Sequence, residues 1–213
     1  MADGGRPVEI FIDFDGTITD VDTFDVLVRR AGGAELWAEI ERQFGAREIT
    51  LREALEREAA FVRVDKAEGI RMWDEATNID PHFAEFVRVQ RERGAVLTVV
   101  SAGVETLIRH ALDRAGLGDL TVIANDVDFD TNGWKFRFRD DSPDGLYKEK
   151  YVQAARARGA HTVYIGDGIS DFRAVHDADQ RFAKHGRSLE RYLREVGLEF
   201  TPFSSFAQVL AAR

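Results

Sequence analysis

Asp13 and Asp15 stand two residues apart in the segment Asp13-Phe14-Asp15-Gly16-Thr17, directly after the apolar run Val8 to Ile12. An Asp-Gly pair is an ordinary turn, which accounts for Asp15-Gly16 but leaves Asp13 without a reason. An ionisable group ending an apolar strand is costly to bury without a partner. A chemical reading employs both acids. Asp13 attacks phosphorus, and Asp15, beyond the turn, exchanges a proton with the leaving oxygen. A second acidic segment, Gly166-Asp167-Gly168-Ile169-Ser170-Asp171, follows the apolar run at Thr162 to Ile165. Ser170 or Asp171 can cap the next helix, yet Asp167 and Asp171 also add carboxylates to the same place. Clustered acids repel one another unless a hard cation sits among them, and Mg²⁺ with oxygen ligands suits such a group. The same cation lets an anionic nucleophile approach an anionic phosphate.

Two further segments fit a phosphate. Ser101-Ala102-Gly103 lies between a strand pattern and a helix pattern, where a hydroxyl and free backbone N–H groups can hold phosphate oxygens. The plain alternative for Ser101 is an N-cap. Lys148 and Lys150 fall in the first turn of a helix, against its dipole. One of them serves as a phosphate-binding cation, with Lys148 preferred, and the other is surface charge.

The elements that must position these residues are short strands alternating with helices. Strands are expected at Val8 to Asp13, Val96 to Ser101, Leu120 to Ala124 and Thr162 to Gly166, with a short fifth near Arg181 to Ala183. Helices are expected around Phe83 to Arg93, Val104 to Ala115 and Lys148 to Arg158. This alternation predicts a doubly wound α/β fold, a mostly parallel sheet covered on both faces. Ligands in such folds bind at the carboxyl ends of the strands, where Asp13, Ser101 and Asp167 would converge. Residues 20–79 show only helical patterning, too long for one crossover. They read as an inserted helical cap, with 1–19 and 80–213 forming the core. Val127 to Arg139 reads as a β-hairpin whose two alternating runs are separated by Asp130-Thr131-Asn132-Gly133, with Asn-Gly as the hairpin signal.

Composition narrows the classes. The chain has 213 residues, 44% of them hydrophobic, and no cysteine, which excludes disulfides, thiolate metal sites and a cysteine nucleophile. A formal net charge of −9 argues against nucleic-acid binding. No segment has the length of a membrane span, so a soluble, cytoplasmic protein without membrane partners is expected.

Together, Asp13-Phe14-Asp15-Gly16-Thr17, Ser101, Lys148 and Gly166-Asp167-Gly168 with Asp171 resemble the four motifs of the haloacid dehalogenase-type phosphatases. The resemblance implies a phosphoric monoester hydrolase working through an aspartyl-phosphate on Asp13, with Asp15 as acid and then base. It implies Mg²⁺ held by Asp13, Asp15 through its backbone carbonyl, and Asp167. Asp171 would support the ion or orient Lys148. Ser101 and Lys148 would grip the phosphoryl group, helped by backbone N–H groups around Phe14, Asp15, Gly16, Ala102 and Gly103. The insertion resembles the C1 cap of the phosphoserine phosphatase-like branch. Within that branch the opening FIDFDGTIT with Asp22, the region Asn125 to Phe129 and the tail from Asp177 resemble the methionine-salvage 2-hydroxy-3-keto-5-methylthiopentenyl-1-phosphate phosphatases. A thioether substrate would need apolar cap residues, for which Phe24, Leu27, Trp37, Met72 and Trp73 are candidates, although cap packing is the simpler role for each.

Asp22 also matches an acid that phosphoserine phosphatases place in the cap. Glu58, beside Arg57, falls where they carry an arginine, which counts against phosphoserine. The partner expected is a small phosphorylated metabolite, with the protein a monomer or homodimer. Rival classes are a phosphotransferase sharing every one of these residues, a non-catalytic phospho-ligand-binding protein, and a phospho-accepting receiver domain. Asp15 and the inserted segment argue against the receiver.

Overall fold

The structure, a computed structural model, describes residues 5–212. Its strands are β1 (Val8–Ile12), β2 (Val96–Val104), β3 (Thr121–Asp128), β4 (Lys135–Arg137), β5 (His161–Gly166), β6 (Gln180–Lys184) and β7 (Thr201–Phe203). They form one sheet in the order β4-β3-β2-β1-β5-β6-β7. Every neighbouring pair is parallel except β3 with β4. The chain winds outward from β1 on one side, then crosses back to β5 on the other, so the fold is doubly wound. The reversal opens a crevice at the carboxyl end of β1.

Alternation along β1 explains why the strand is central. Ile10 and Ile12 point into one apolar cluster with Val99, Phe86 and Ile165. Phe11 points the other way, to a cluster with Val100, Val152, Tyr164 and Leu189. A strand buried on both faces must be apolar at successive positions, and this one is. The flanking helices include α5 (Phe83–Glu92), α6 (Glu105–Arg114), α7 (Glu149–Ala157) and α9 (Ser188–Val196).

Between β1 and α5 the chain is helical: α1 (Thr23–Val28), a π-helical turn (Arg29–Gly33), α2 (Ala34–Gly45), α3 (Leu51–Phe61) and α4 (Lys66–Asp74). Its two ends are clasped. Thr19 pairs with Ile79, and Asp80 N–H donates to Ile18 O at 2.8 Å. Leu27, Val28, Ala59, Val62 and Trp73 join the apolar cluster beneath β1, so the segment packs directly onto the sheet layer. Local signals start its helices: Thr50 and Glu53 form a reciprocal capping box at α3, and Asp65 caps α4.

Three expectations need correction. β2 does not end at Ser101 but runs on to Val104, with a register irregularity between Val100 and Val104. Ser101 is therefore not a helix cap. β3 continues to Asp128, so Leu120 to Ala124 and the first arm of the hairpin are one strand. The hairpin exists, with Asp128 opposite Lys135, but its loop spans 129–134, one residue more at each end than the expected Asp130 to Gly133. The cause is Trp134, which leaves the strand to dock on the helical segment. Its backbone N–H donates to Val62 O at 3.1 Å and its indole to Val64 O at 2.7 Å. β7 had no signal in the sequence, being three residues long with Pro202 at its centre, which suits only an edge strand.

Candidate active site

Asp13 follows β1, and its N–H donates to Ile165 O at 2.9 Å, which ties it to β5. The residue is 4% exposed. Lys148 Nζ, fully buried, donates to Asp13 Oδ1 at 2.6 Å, to Asp171 Oδ1 at 2.7 Å and to Ser170 Oγ at 2.9 Å. Lys150 instead lies over the Tyr147 ring. The other Asp13 oxygen accepts from Thr17 Oγ1 at 3.2 Å. Burial acts to lower the Lys148 ammonium, but Asp13 and Asp171 outweigh it and hold it above its ordinary value.

Asp171 is saturated with donors. Its Oδ1 also accepts from Tyr164 OH at 2.7 Å, and its Oδ2 accepts from the N–H groups of Asp167 and Gly168, each at 3.0 Å. It orients the lysine and shapes the Asp167 turn. Asp167 is held more loosely, with Thr17 Oγ1 at 3.4 Å and Arg187 Nε at 3.9 Å.

Asp15 faces another direction. Its Oδ1 accepts from the Thr23 N–H at 3.1 Å and from the Thr23 hydroxyl, both at the start of α1. Ser101 Oγ reaches Asp15 Oδ2 at 3.5 Å. Two glycines make this packing feasible. A Cβ on Gly103 would lie 2.5 Å from Asp15 Oδ2, and one on Gly16 only 2.3 Å from Asp167 Oδ2. Gly16 also has φ +74°, a region that disfavours side chains.

Burial pushes the Asp13 carboxyl up to about 7 despite Lys148, with Asp171 adding to the rise. Burial, and then the nearby Asp22, push Asp15 up to about 7 against the Thr23 hydrogen bonds. Asp167 is raised by burial and by Asp13 and Asp171. The oxygens of Asp13, Asp167 and Asp171 come within 4.8 Å of one another. Because Asp171 is spent on four donors, Asp13 and Asp167 are the carboxylates left for a cation. An all-oxygen donor set with raised acids fits Mg²⁺.

A cleft of about 400 Å³ opens above these groups, lined by Asp13, Asp15, Ser101, Ala102, Gly103 and Asp167 from the core. From the helical segment it takes Asp22, Phe24, Asp25, Glu41, Leu55 and Glu58. Of the expected backbone donors, Gly103 lies in the lining, while the Phe14 ring is buried and stacks on Trp73 at 6.3 Å between ring centroids. Gly16 N–H is already given to Val21 O and Thr19 Oγ1, and Gly103 N–H donates to Ser101 Oγ at 2.9 Å. Leu27, Trp37, Met72 and Trp73 are absent from the lining, since they pack into or against the apolar cluster that joins the helices to the sheet. Only Phe24 of the expected apolar set lines the cleft.

Sequence reasoning did not find Thr17, Thr23, Tyr164, Ser170 or Arg187. Arg187 comes from the turn before α9, lines the cleft and donates to Asp20 O at 2.9 Å. Asn125 is buried and spans Ala102 O at 2.8 Å and Gly145 O at 3.0 Å, bracing the end of β2 against the loop before α7.

The model of the haloacid dehalogenase-like hydrolases matches residues 10–176, and the chain belongs to that family. The polyol phosphate phosphatase PYP1 of Saccharomyces cerevisiae is 28% identical, over 95% of this chain and 91% of that one. A 2-hydroxy-3-keto-5-methylthiopentenyl-1-phosphate phosphatase of Microcystis aeruginosa is 29% identical, over 94% of each. A phosphoserine phosphatase structure, a phospho-aspartyl intermediate analogue, superposes with TM-score 0.76 at 19% identity, covering 97% of this chain and 98% of that one. The expected enzyme class, a phosphomonoester hydrolase, agrees with the names of these relatives. Among the described residues no helix is long and apolar enough to cross a membrane.

Proposed function

We propose that the protein is a Mg²⁺-dependent phosphatase of a small phosphorylated metabolite, acting through an aspartyl-phosphate on Asp13. One observation carries this reading. The Asp13 carboxylate sits buried at the end of the central strand, 2.6 Å from Lys148, while Asp15 is held apart from it by Thr23. An Asp13 oxygen attacks phosphorus, and the bond to the leaving oxygen breaks as Asp15 gives that oxygen its proton. Asp15 then takes a proton from water, whose oxygen attacks phosphorus, releasing phosphate and restoring Asp13.

Lys148 and Ser101 hold the phosphoryl oxygens. Asp13, Asp167 and the Asp15 carbonyl would hold Mg²⁺, which supplies charge neutralisation between nucleophile and phosphate. A value near 7 for Asp15 suits a group that gives and then takes a proton near neutral pH. Residues 20–79 act as a cap over the cleft. Substrates drawn from the relatives' names are the methylthiopentenyl phosphate and polyol phosphates. Phosphoserine is disfavoured by Glu58 in the cleft wall, while its neighbour Arg57 turns out to Gln43 Oε1 at 2.7 Å.

The test is phosphate release from a panel of phosphomonoesters, including an aryl phosphate, with and without Mg²⁺, for wild type and Asp13→Asn. Release should require both, with Asp13→Asn slower by roughly 10⁴-fold or more. Release that survives in Asp13→Asn would remove Asp13 as the nucleophile.

A further inference from the structure

Tyr164 of β5 takes no part in the hydrolytic steps, yet its side chain reaches the acid that orients Lys148. The residue is fully buried, and its backbone is fixed between β1, opposite Phe11, and β6, opposite Arg181. Its ring sits in the apolar cluster with Leu146 and Val152, which flank Lys148 along the chain. From there the hydroxyl donates to Asp171 Oδ1 at 2.7 Å. A Cβ on Gly166 would stand 2.4 Å from Asp171 Oδ2 and 3.1 Å from Tyr164 Cε1, so the bare backbone leaves room for the two side chains to meet. Burial, and then the charges of Asp171 and Asp13, push the Tyr164 hydroxyl well above the ordinary phenol range, so it remains a donor.

Lys148 has no donor to spare. An ammonium carries three N–H groups, and this one spends them on Asp13, Asp171 and Ser170. A phosphoryl oxygen can be gripped only if one of these bonds is given up. Withdrawal from Asp171 would strand a fully buried carboxylate, a costly state, if the lysine were its main partner. The Tyr164 hydroxyl, however, serves the same oxygen that Lys148 uses, and the other oxygen has the N–H groups of Asp167 and Gly168. Without the phenol, Asp171 Oδ1 would depend on Lys148 alone among the described residues.

We propose that Tyr164 is a positioning residue whose hydroxyl releases Lys148 from Asp171, so that the ammonium can pass one N–H to an oxygen of the transferring phosphoryl group. The inference rests on the phosphatase reading. The exchange breaks no covalent bond. Asp171 keeps three donors, and Lys148 trades a carboxylate oxygen for a phosphoryl oxygen. A ring without the hydroxyl would pin the lysine to Asp171, which weakens the grip at the phosphoryl end and leaves the organic end of the substrate untouched.

Tyr164→Phe deletes the hydroxyl and keeps the ring in its cluster. With Mg²⁺ present, kcat and KM are measured on an aryl phosphate and on the fastest aliphatic member of the phosphomonoester panel. Inhibition by orthovanadate, which resembles the phosphoryl group in transfer, is read on the same preparations, and the urea midpoint checks that the variant is folded under assay. Tyr164→Phe should lower kcat by about five- to tenfold, by the same factor on both compounds, with KM changed less than about twofold. Vanadate should inhibit the variant more weakly by a similar factor, about five- to tenfold. A kcat within about twofold of wild type beside a lowered urea midpoint would give the hydroxyl a packing role only and overturn the inference. A loss confined to one of the two compounds, or unchanged vanadate inhibition, would overturn it as well. Those failures leave the phosphatase reading standing. Wild type inert towards the whole panel would remove that reading, and the inference with it.

Discussion

The two walls of the cleft treat their carboxylates in opposite ways. On the sheet side the acids are answered by donors from the same molecule: Asp13 by Lys148 and Thr17, and Asp171 by Lys148, Tyr164 and two backbone N–H groups. On the helical side no donor contacts the Glu58 carboxyl among the described residues, and the charged groups that act on it are the acids Asp25, Asp22 and Glu41. A group that must act identically in every turnover gains from being held before substrate arrives. The difference between the two walls is open to attack from three directions.

The largest effect is expected on the sheet side. Lys148→Met leaves Asp13 and Asp171 buried without their shared cation, which should lower stability by about 3–5 kcal/mol in urea unfolding and abolish turnover. A variant as stable as wild type would show that the sheet-side acids do not depend on their partners.

A smaller effect probes the contact between the walls. Thr23→Val keeps the shape of α1's first turn but removes a donor to Asp15. We expect kcat to fall by roughly tenfold with little change in KM, as for loss of positioning of an acid–base group. Because the Thr23 hydrogen bonds hold the Asp15 value down, the alkaline limb of the pH–rate profile should also move upward. An unshifted profile would leave Thr23 with a merely structural role.

The smallest effect concerns stability against pH on the helical side. The ordinary value for Glu58 is 4.5 and the folded one about 9; for Asp25 the corresponding values are 3.8 and about 8. Below both ordinary values these groups are protonated in either state and cost nothing. Between the ordinary and folded values the native state keeps protons that the unfolded state releases, so stability falls as pH rises through that window. Urea midpoints of wild type should therefore drop between about pH 5 and about pH 9, and Glu58→Leu should show a shallower slope. Parallel slopes would mean that Glu58 finds a donor the structure does not show.

Much of the sheet side could be read from residues in order along the chain. The apolar run to Ile12, the Asp13 to Thr17 turn and the Gly166 to Asp171 loop are local patterns, and the structure brings Asp13, Asp15, Ser101 and Asp167 to one cleft, with Lys148 buried between Asp13 and Asp171. Lys148 is fully buried against Asp13, whereas Lys150 lies over the Tyr147 ring. What could not be read were partners supplied by other segments. Thr23 contacts Asp15, and Tyr164 contacts Asp171, only because of how α1 and the turn after β5 lie. Trp73 and Met72 look like candidate ligand contacts in a helical sequence, yet they pack into or against the apolar cluster and no residue of α4 lines the cleft. The order of residues does not say which face the tertiary packing selects. The hairpin loop failed for a similar reason, since Trp134 answers to Val62 and Val64, far away in sequence.

The sequence by itself determined the elements, the alternation that makes a doubly wound sheet, and the acids that stand at strand ends. These depend on periods of two and of 3.6 residues and on turn chemistry, which are properties of neighbours along the chain. Only the tertiary structure decided which carboxylates are answered and which are left open. Satisfaction of a buried polar group depends on atoms within about 3 Å, and in this cleft those atoms come from segments separated by as many as 150 positions in the chain.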